Sequence, residues 1–318
     1  MKNILTLGLD VGGTRIKIAL VDSEGKIVAS SSHPTHHENE PEKILEDISI
    51  CINKCFSMSK KKAQALGVGL AGQVNLAGVV RTSPNLGWRD FPLKERLETE
   101  FRMPVVVTND VKAAGWAEWK FGAGRGINDL VIVFVGTGIG GSIVSGGRMI
   151  DGCTNTAGEL GHTTLIIDGR RCHCPNSGCL EAYAGGWAIA ERAQEAVRYD
   201  PEAGKHLISL AGAAEKITAA TVAKAFYQGD PLALRLVRET GYFLGAGLVS
   251  AVNSFNPCLL ILGGGVIDGL PELIKIVDYF IRQRALKPAA EKLQVVGTRL
   301  GSKAGVIGAA ALAQEKIK

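Results

Sequence analysis

Two glycine-rich turns constrain this chain most. The runs Asp10-Val11-Gly12-Gly13-Thr14-Arg15-Ile16-Lys17 and Val135-Gly136-Thr137-Gly138-Ile139-Gly140-Gly141 each join one β-rich segment directly to another. Neither is a strand-to-helix phosphate loop. A hairpin tip without side chains can offer backbone N–H groups to phosphate oxygens, with the Thr14 hydroxyl as a further donor and Lys17 as a point charge. Asp10, at the strand end, can hold Mg2+ directly or through water, because hard divalent cations select carboxylate and phosphate oxygens. One such hairpin could be a plain tight turn. The same design twice suits a nucleotide held by two phosphate-binding turns. A third run, Leu262-Gly263-Gly264-Gly265-Val266, follows a strand and precedes a helix, where it is either a tight connection or a place for adenine or ribose to approach the main chain. None of the three reads G-x-G-x-x-G between a first strand and its helix with an acidic residue about 20 positions on, which disfavours a hydride-transfer dinucleotide site.

The segments around these turns predict an α/β chain. Residues 4–10, 15–21 and 26–31 read as a three-strand meander, followed by a helix with Pro41 in its first turn and an apolar stripe of Ile44, Leu45, Ile48, Cys51, Ile52 and Cys55. A strand over 65–70, a helix over 92–101 and a strand over 105–108 complete this layer and leave Asn109 and Asp110 at its carboxyl edge, where open α/β sheets place ligands. A second unit is expected from a helix over 111–121 onward, with strands at 130–135, 141–144 and 259–262. The alanine-rich helix at 305–314 is expected to cross back onto the first unit. The expected domains are therefore 1–115 with 303–318, and 116–302. A length of 318 residues agrees with two domains.

Composition excludes several classes. With 46% hydrophobic and 21% charged residues the chain can bury a core, so disorder is not expected. No apolar run approaches the roughly 20 residues of a membrane span. The net charge of +5 is dispersed, and its only tight basic run, Lys60-Lys61-Lys62, reads as a solvated helix end rather than a nucleic-acid patch. Neither membrane nor nucleic acid is an expected partner.

His162, Cys172, Cys174 and Cys179 have the spacing of a closed, tetrahedral, structural Zn2+ site. Cys172 and Cys174 are too close in sequence for an unstrained disulfide, and seven cysteines leave one unpaired in any oxidised scheme. A reducing cytoplasm is the expected setting. His173 is expected to point away from the metal, and Cys51, Cys55, Cys153 and Cys258 to be small core residues.

The runs Asp10-x-Gly12-Gly13-Thr14, Gly136-Thr137-Gly138-x-Gly140-Gly141, Ala157-Gly158-Glu159-Leu160-Gly161-His162 and Cys172-x-Cys174-x4-Cys179-Leu180-Glu181 resemble the ROK family (repressors, open reading frames and sugar kinases) of the sugar kinase and actin superfamily. The resemblance spans the chain in the right order. One departure is Pro175, where the family's zinc loop commonly has glycine. The resemblance implies a two-lobed ribonuclease H-like (actin-like ATPase) α/β fold, ATP in a cleft between the lobes, and Mg2+. Asp110 then becomes the expected catalytic base, with helix N-capping as its plainer role. Asn85, Asn109, Glu159, His162 and Glu181 become expected sugar contacts, His162 sharing its two ring nitrogens between sugar and zinc. For Glu181 the plainer role is a surface salt bridge, and Trp88 is either lid or core. The implied reaction is ATP-dependent phosphorylation of a hexose 6-hydroxyl. The spelling Glu159-Leu160-Gly161-His162 is similar to glucose-phosphorylating members, with N-acetylglucosamine, N-acetylmannosamine or mannose as alternative acceptors. A DNA-binding repressor of this family carries a helix-turn-helix domain ahead of the first strand, and nine residues before Asp10 are too few for one. A non-catalytic sugar sensor is a further alternative. Family members are commonly dimers or tetramers, so a homo-oligomer is expected.

Overall fold

The computed structural model describes residues 4–35, 41–59 and 61–317; Lys60 of the basic run lies outside them. The chain forms two compact units. One comprises Met1–Gly126, Met149–Ala157 and Arg299–Lys318, the other Ile127–Arg148 and Gly158–Thr298.

In the first unit, β1 (Thr6–Val11), β2 (Arg15–Val21) and β3 (Ile27–Pro34) form the antiparallel meander, with Asp10 opposite Lys17. Helix α1 (Pro41–Ser59) buries its apolar stripe in one core with Leu7, Leu9, Ile16, Ile18 and Leu20. Strand β4 (Leu66–Leu70) runs parallel to β1. Three short strands then make a separate small sheet: β5 (Gln73–Val74), β6 (Val80–Ser83) and β7 (Trp88–Phe91). Trp88 is buried there and packs on Phe91 with ring centroids 4.7 Å apart, so it is a core residue. Helix α2 (Leu93–Phe101), strand β8 (Val105–Asn109) and helix α3 (Asp110–Lys120) follow. The main sheet has the order β3-β2-β1-β4-β8.

The second unit repeats this plan. Its sheet contains β9 (Leu130–Val135), β10 (Ile139–Ser145) and β11 (Arg148–Met149). Helices α4 (Glu181–Ala184), α5 (Gly186–Tyr199), α6 (Lys205–Ala211), α7 (Ala219–Tyr227) and α8 (Pro231–Phe255) precede β12 (Leu259–Gly263). Helices α9 (Gly265–Gly269), α10 (Glu272–Arg284) and α11 (Lys287–Glu291) lead to β13 (Gln294–Gly297). The order β11-β10-β9-β12-β13 gives β9 an antiparallel neighbour on one side and a parallel one on the other, as β1 has.

The last helix, α12 (Ala304–Lys316), belongs to the first unit and packs on β1, β4 and α3. A methyl group at Gly8 or Gly67 would overlap the carbonyls of Val306 or Ala309, so only glycine admits the helix this close to the sheet. The polar groups at this contact are paired: Thr6 Oγ1 donates to the Ala310 carbonyl at 2.9 Å, and Gln314 Nε2 donates to Thr6 Oγ1 at 3.1 Å. Helix α3 lies in this unit as well, where the buried Glu118 carboxylate accepts the amides of Ala123, Arg299 and Leu300.

Of the four cysteines expected in the core, Cys51 and Cys55 are buried, but Cys153 and Cys258 are exposed. The first two lie on the apolar stripe of a helix; the other two lie in loops, where no periodicity directs a side chain inward. Among the described residues no helix is long and apolar enough to cross a membrane.

Candidate active site

The candidate site residues of the first unit lie at the ends of β1 and β8 and in the turn after β6. In the first turn the Gly12 amide donates to the Arg15 carbonyl at 3.1 Å, which closes the tip and takes that N–H out of the expected phosphate-binding set. The amides of Gly13 and Thr14 have no acceptor among the described residues. Thr35 braces the turn from outside, its hydroxyl donating to the Gly12 carbonyl at 2.8 Å and its amide to the Thr14 carbonyl at 3.1 Å. Asn85, exposed in a 3-10 turn (Pro84–Leu86), lies against Gly13, where a Cβ in place of the glycine hydrogen would come within 3.2 Å of the Asn85 Cβ.

Burial holds the Asp10 carboxyl above its ordinary range, partly offset by Lys17, whose Nζ lies 4.0 Å away. Lys17 thus faces Asp10 first, a partner that its place in the sequence did not assign to it. A carboxylate short of solvent and backed by one distant ammonium is a suitable oxygen donor for a divalent cation.

Asn109, not Asp110, caps α3. Its Oδ1 accepts the amides of Val111 and Lys112 at 2.9 and 3.2 Å, and its Nδ2 donates to the Gly72 carbonyl at 3.1 Å. One Nδ2 hydrogen remains for a ligand. Asp110 is the first helical residue, half-buried, and its Oδ1 accepts the Val111 amide at 2.9 Å. The positive end of a helix favours an anionic carboxylate in this position.

In the second unit the β9–β10 turn is closed by the Gly136 amide on the Gly138 carbonyl at 2.9 Å. Gly136 and Thr137, with Gly186 and Trp187 of α5, wall a cavity of about 830 Å3 that continues along Thr218, Ala223 and Gly265. Of the third glycine run, Gly265 and Val266 line it, and Gly263 and Gly264 do not. Gly264, at φ +91, makes the left-handed bend that starts α9, and Gly263 ends β12. The α7 part of the wall was not legible in the sequence. Its signal was the small-residue face Ala219, Ala220 and Ala223, which resembles ordinary helix packing.

Glu181 departs from the plainer of its expected surroundings, a surface salt bridge. It is 8% exposed, with Oε2 accepting the Ile139 amide at 2.7 Å and Oε1 accepting the Trp187 indole N–H at 3.2 Å. A side chain at Gly138 would collide with it. No surface salt bridge forms, and any sugar contact would use lone pairs that these donors leave open. Glu159 is exposed at the start of a 3-10 turn (Leu160–His162).

The ligand atoms of His162, Cys172, Cys174 and Cys179 all lie within 4.8 Å of one another. The Cys174 and Cys179 sulfurs are 3.5 Å apart, and the Cys172 sulfur lies 3.6 Å from His162 Nδ1. Tetrahedral zinc with bonds of about 2.3 Å separates sulfurs by about 3.8 Å, so the four residues fit that ion. With Nδ1 turned to the sulfurs, Nε2 is the ring nitrogen left for another partner. His173 stays out of the cluster and stacks on Trp187 at a centroid distance of 4.1 Å.

Comparison with known proteins agrees with this architecture. The ROK family model matches residues 6–316, and the chain belongs to the ROK family. It is 36% identical over 317 residues to a glucokinase of Streptomyces coelicolor, covering 98% of each chain. It is 32% identical over 311 residues to an N-acetylmannosamine kinase of Escherichia fergusonii, covering 97% of this chain and 98% of the other. A crystal structure of a ROK family glucokinase from Streptomyces griseus, in complex with glucose and AMPPNP, is 35% identical with a TM-score of 0.84 over 98% of this chain and 99% of that one. The likeness places this chain in the two-lobed α/β fold expected from its sequence.

Proposed function

We propose that this chain transfers the terminal phosphoryl group of ATP to the 6-hydroxyl of a hexose, with glucose as the preferred acceptor. The observation that carries the reading is the cavity in the second unit, where a glycine-rich turn and the start of α9 leave backbone open to a base, ribose and phosphates. The full-length similarity to glucokinases supports the acceptor.

Phosphoryl transfer asks the protein for positioning and charge neutralisation more than for covalent chemistry. The Gly13, Thr14, Thr137 and Gly138 backbone would bind phosphate oxygens. Asp110 would accept the proton of the attacking hydroxyl as the oxygen–phosphorus bond forms and the bond to ADP breaks. Asn85, Asn109, Glu159, His162 and Glu181 would hold the remaining hydroxyls. Asp10 would hold Mg2+, which supplies charge neutralisation at the phosphates. Zinc at His162, Cys172, Cys174 and Cys179 would fix the loop that carries His162, leaving Nε2 for a sugar hydroxyl. The cysteine set belongs in a reducing cytoplasm, and we read the chain as a dimer or tetramer, testable by sedimentation.

An assay coupling ADP formation to a visible signal, run with ATP, Mg2+ and a sugar panel, tests the reading. Highest kcat/KM on glucose is expected. The 32% identity to an N-acetylmannosamine kinase favours a second reading, and highest kcat/KM on N-acetylmannosamine would replace glucose with it. Sugar binding without turnover on any member of the panel would reject catalysis and leave a sensor. Metal analysis of the purified protein should find about one zinc per chain.

A further inference from the structure

The residue that joins the cavity to Glu181 is Trp187, which none of the family-like runs contains. Trp187 is part of the cavity wall, and its indole N–H donates to Glu181. The second donor to the same carboxylate, the Ile139 amide, starts β10 just after the turn that forms another part of that wall. Turn and helix are also joined directly, the Gly186 amide donating to the Gly136 carbonyl at 2.9 Å and the Trp187 amide to the Thr137 carbonyl at 3.0 Å. One face of the indole rests on His173, between the two sulfur ligands Cys172 and Cys174, with the rings 30° from parallel. All of these residues belong to the second unit.

A buried carboxylate held by two N–H donors keeps its orientation only while both donors keep theirs, because an ionised acceptor left short of a partner is strongly destabilised. Both donors to Glu181 are attached to the cavity wall. A nucleotide that presses on Trp187 or draws in the turn at Gly136 and Thr137 therefore changes how Glu181 is held.

We propose that Trp187 is a positioning residue through which occupancy of the nucleotide cavity sets the orientation of Glu181, and with it the affinity for the hexose. The proposal rests on the function argued above, which makes Glu181 a sugar contact and the cavity a nucleotide site. Linkage requires the effect to be reciprocal, so glucose changes nucleotide affinity by the same factor.

The test is calorimetric titration of the full-length, metal-replete protein with glucose, in the presence and absence of saturating AMPPNP. For the wild type, the ratio of the two glucose affinities is expected to be at least about fivefold, the lower end of ordinary coupling. Trp187→Phe keeps a ring against His173 and removes the N–H; it is expected to bring the ratio below about twofold. Because the readout is a ratio, a general weakening of either site leaves it unmoved. A ratio unchanged in Trp187→Phe, or a wild type that binds both ligands without coupling, overturns this proposal alone. A wild type that binds neither ligand overturns the proposed function, and this inference with it. Should Trp187→Phe not fold, His173→Ala decides: it removes the stacked ring and keeps the indole, a reduced ratio is expected, and an unchanged one overturns the proposal.

Discussion

Asp110 and Asp10 are two carboxylates at strand ends with different surroundings. Asp110 begins a helix that Asn109 already caps, so removing its charge leaves the cap intact. Asp110→Asn is therefore expected to lower kcat by at least about 10²-fold, the smaller end of general-base effects, with the melting temperature little changed. Near-wild-type turnover in that variant refutes its role. Asp10 makes a pH-dependent contribution of unusual sign for a carboxylate. Burial raises its folded pKa above the unfolded value, with Lys17 opposing. In the window between those two values the native state holds more protons, so stability from this group is full below the unfolded pKa and is lost as pH rises through the folded one. At neutral pH, ionised Asp10 is a cost to the ligand-free protein. Asp10→Asn is expected to raise the melting temperature at neutral pH, with the gain shrinking as pH falls toward about 4, and to abolish Mg2+-dependent turnover. A melting temperature at neutral pH that is unchanged or lower contradicts this account.

Among the elements, α12 shows most clearly where sequence patterns stop being informative. Its Ala-rich run declares a helix but has no polar face to say which side is buried, and its packing depends on Gly8 and Gly67, single glycines inside strands. Gly67→Ala is expected to destabilise the first unit by about 3 kcal/mol, the upper range for overpacking, because the methyl meets a backbone carbonyl that cannot rotate away. Urea unfolding measures it, and a loss below about 1 kcal/mol contradicts the close approach. The meander and α1 were legible because apolar residues recur at strand or helix spacing, and β9 because it is an unbroken apolar run of six residues. The β5–β6–β7 sheet was not, since strands of two to four residues have too few positions to show alternation. The metal-ligand set was legible because sulfur and imidazole at short spacing have few other uses. The donors that hold Glu181 were not, because one is a backbone amide and the other a tryptophan six residues away that pattern alone assigns to helix packing.

At the scale of the whole molecule, the repeated strand plan gives each unit one glycine hairpin, and the cavity of about 830 Å3 lies beside the second. Ligands of different length should therefore leave different footprints in hydrogen exchange. Adenosine is expected to protect the cavity wall at 136–137, 186–190 and 218–227 without protecting the β1–β2 turn, while ATP with Mg2+ protects both. Protection of the β1–β2 turn by adenosine alone contradicts the assignment of the base to the second unit. At about 100 times its dissociation constant, each ligand should add about 2.7 kcal/mol to stability. The position of α12 also bears on how the protein is made. The strands it covers, β1 and β4, leave the ribosome more than 200 residues ahead of their covering helix. At about 5 to 20 residues per second, the nascent chain carries that uncovered sheet face for roughly 15 to 60 s, a period in which a chaperone has a surface to hold and a slowed ribosome leaves it open to aggregation.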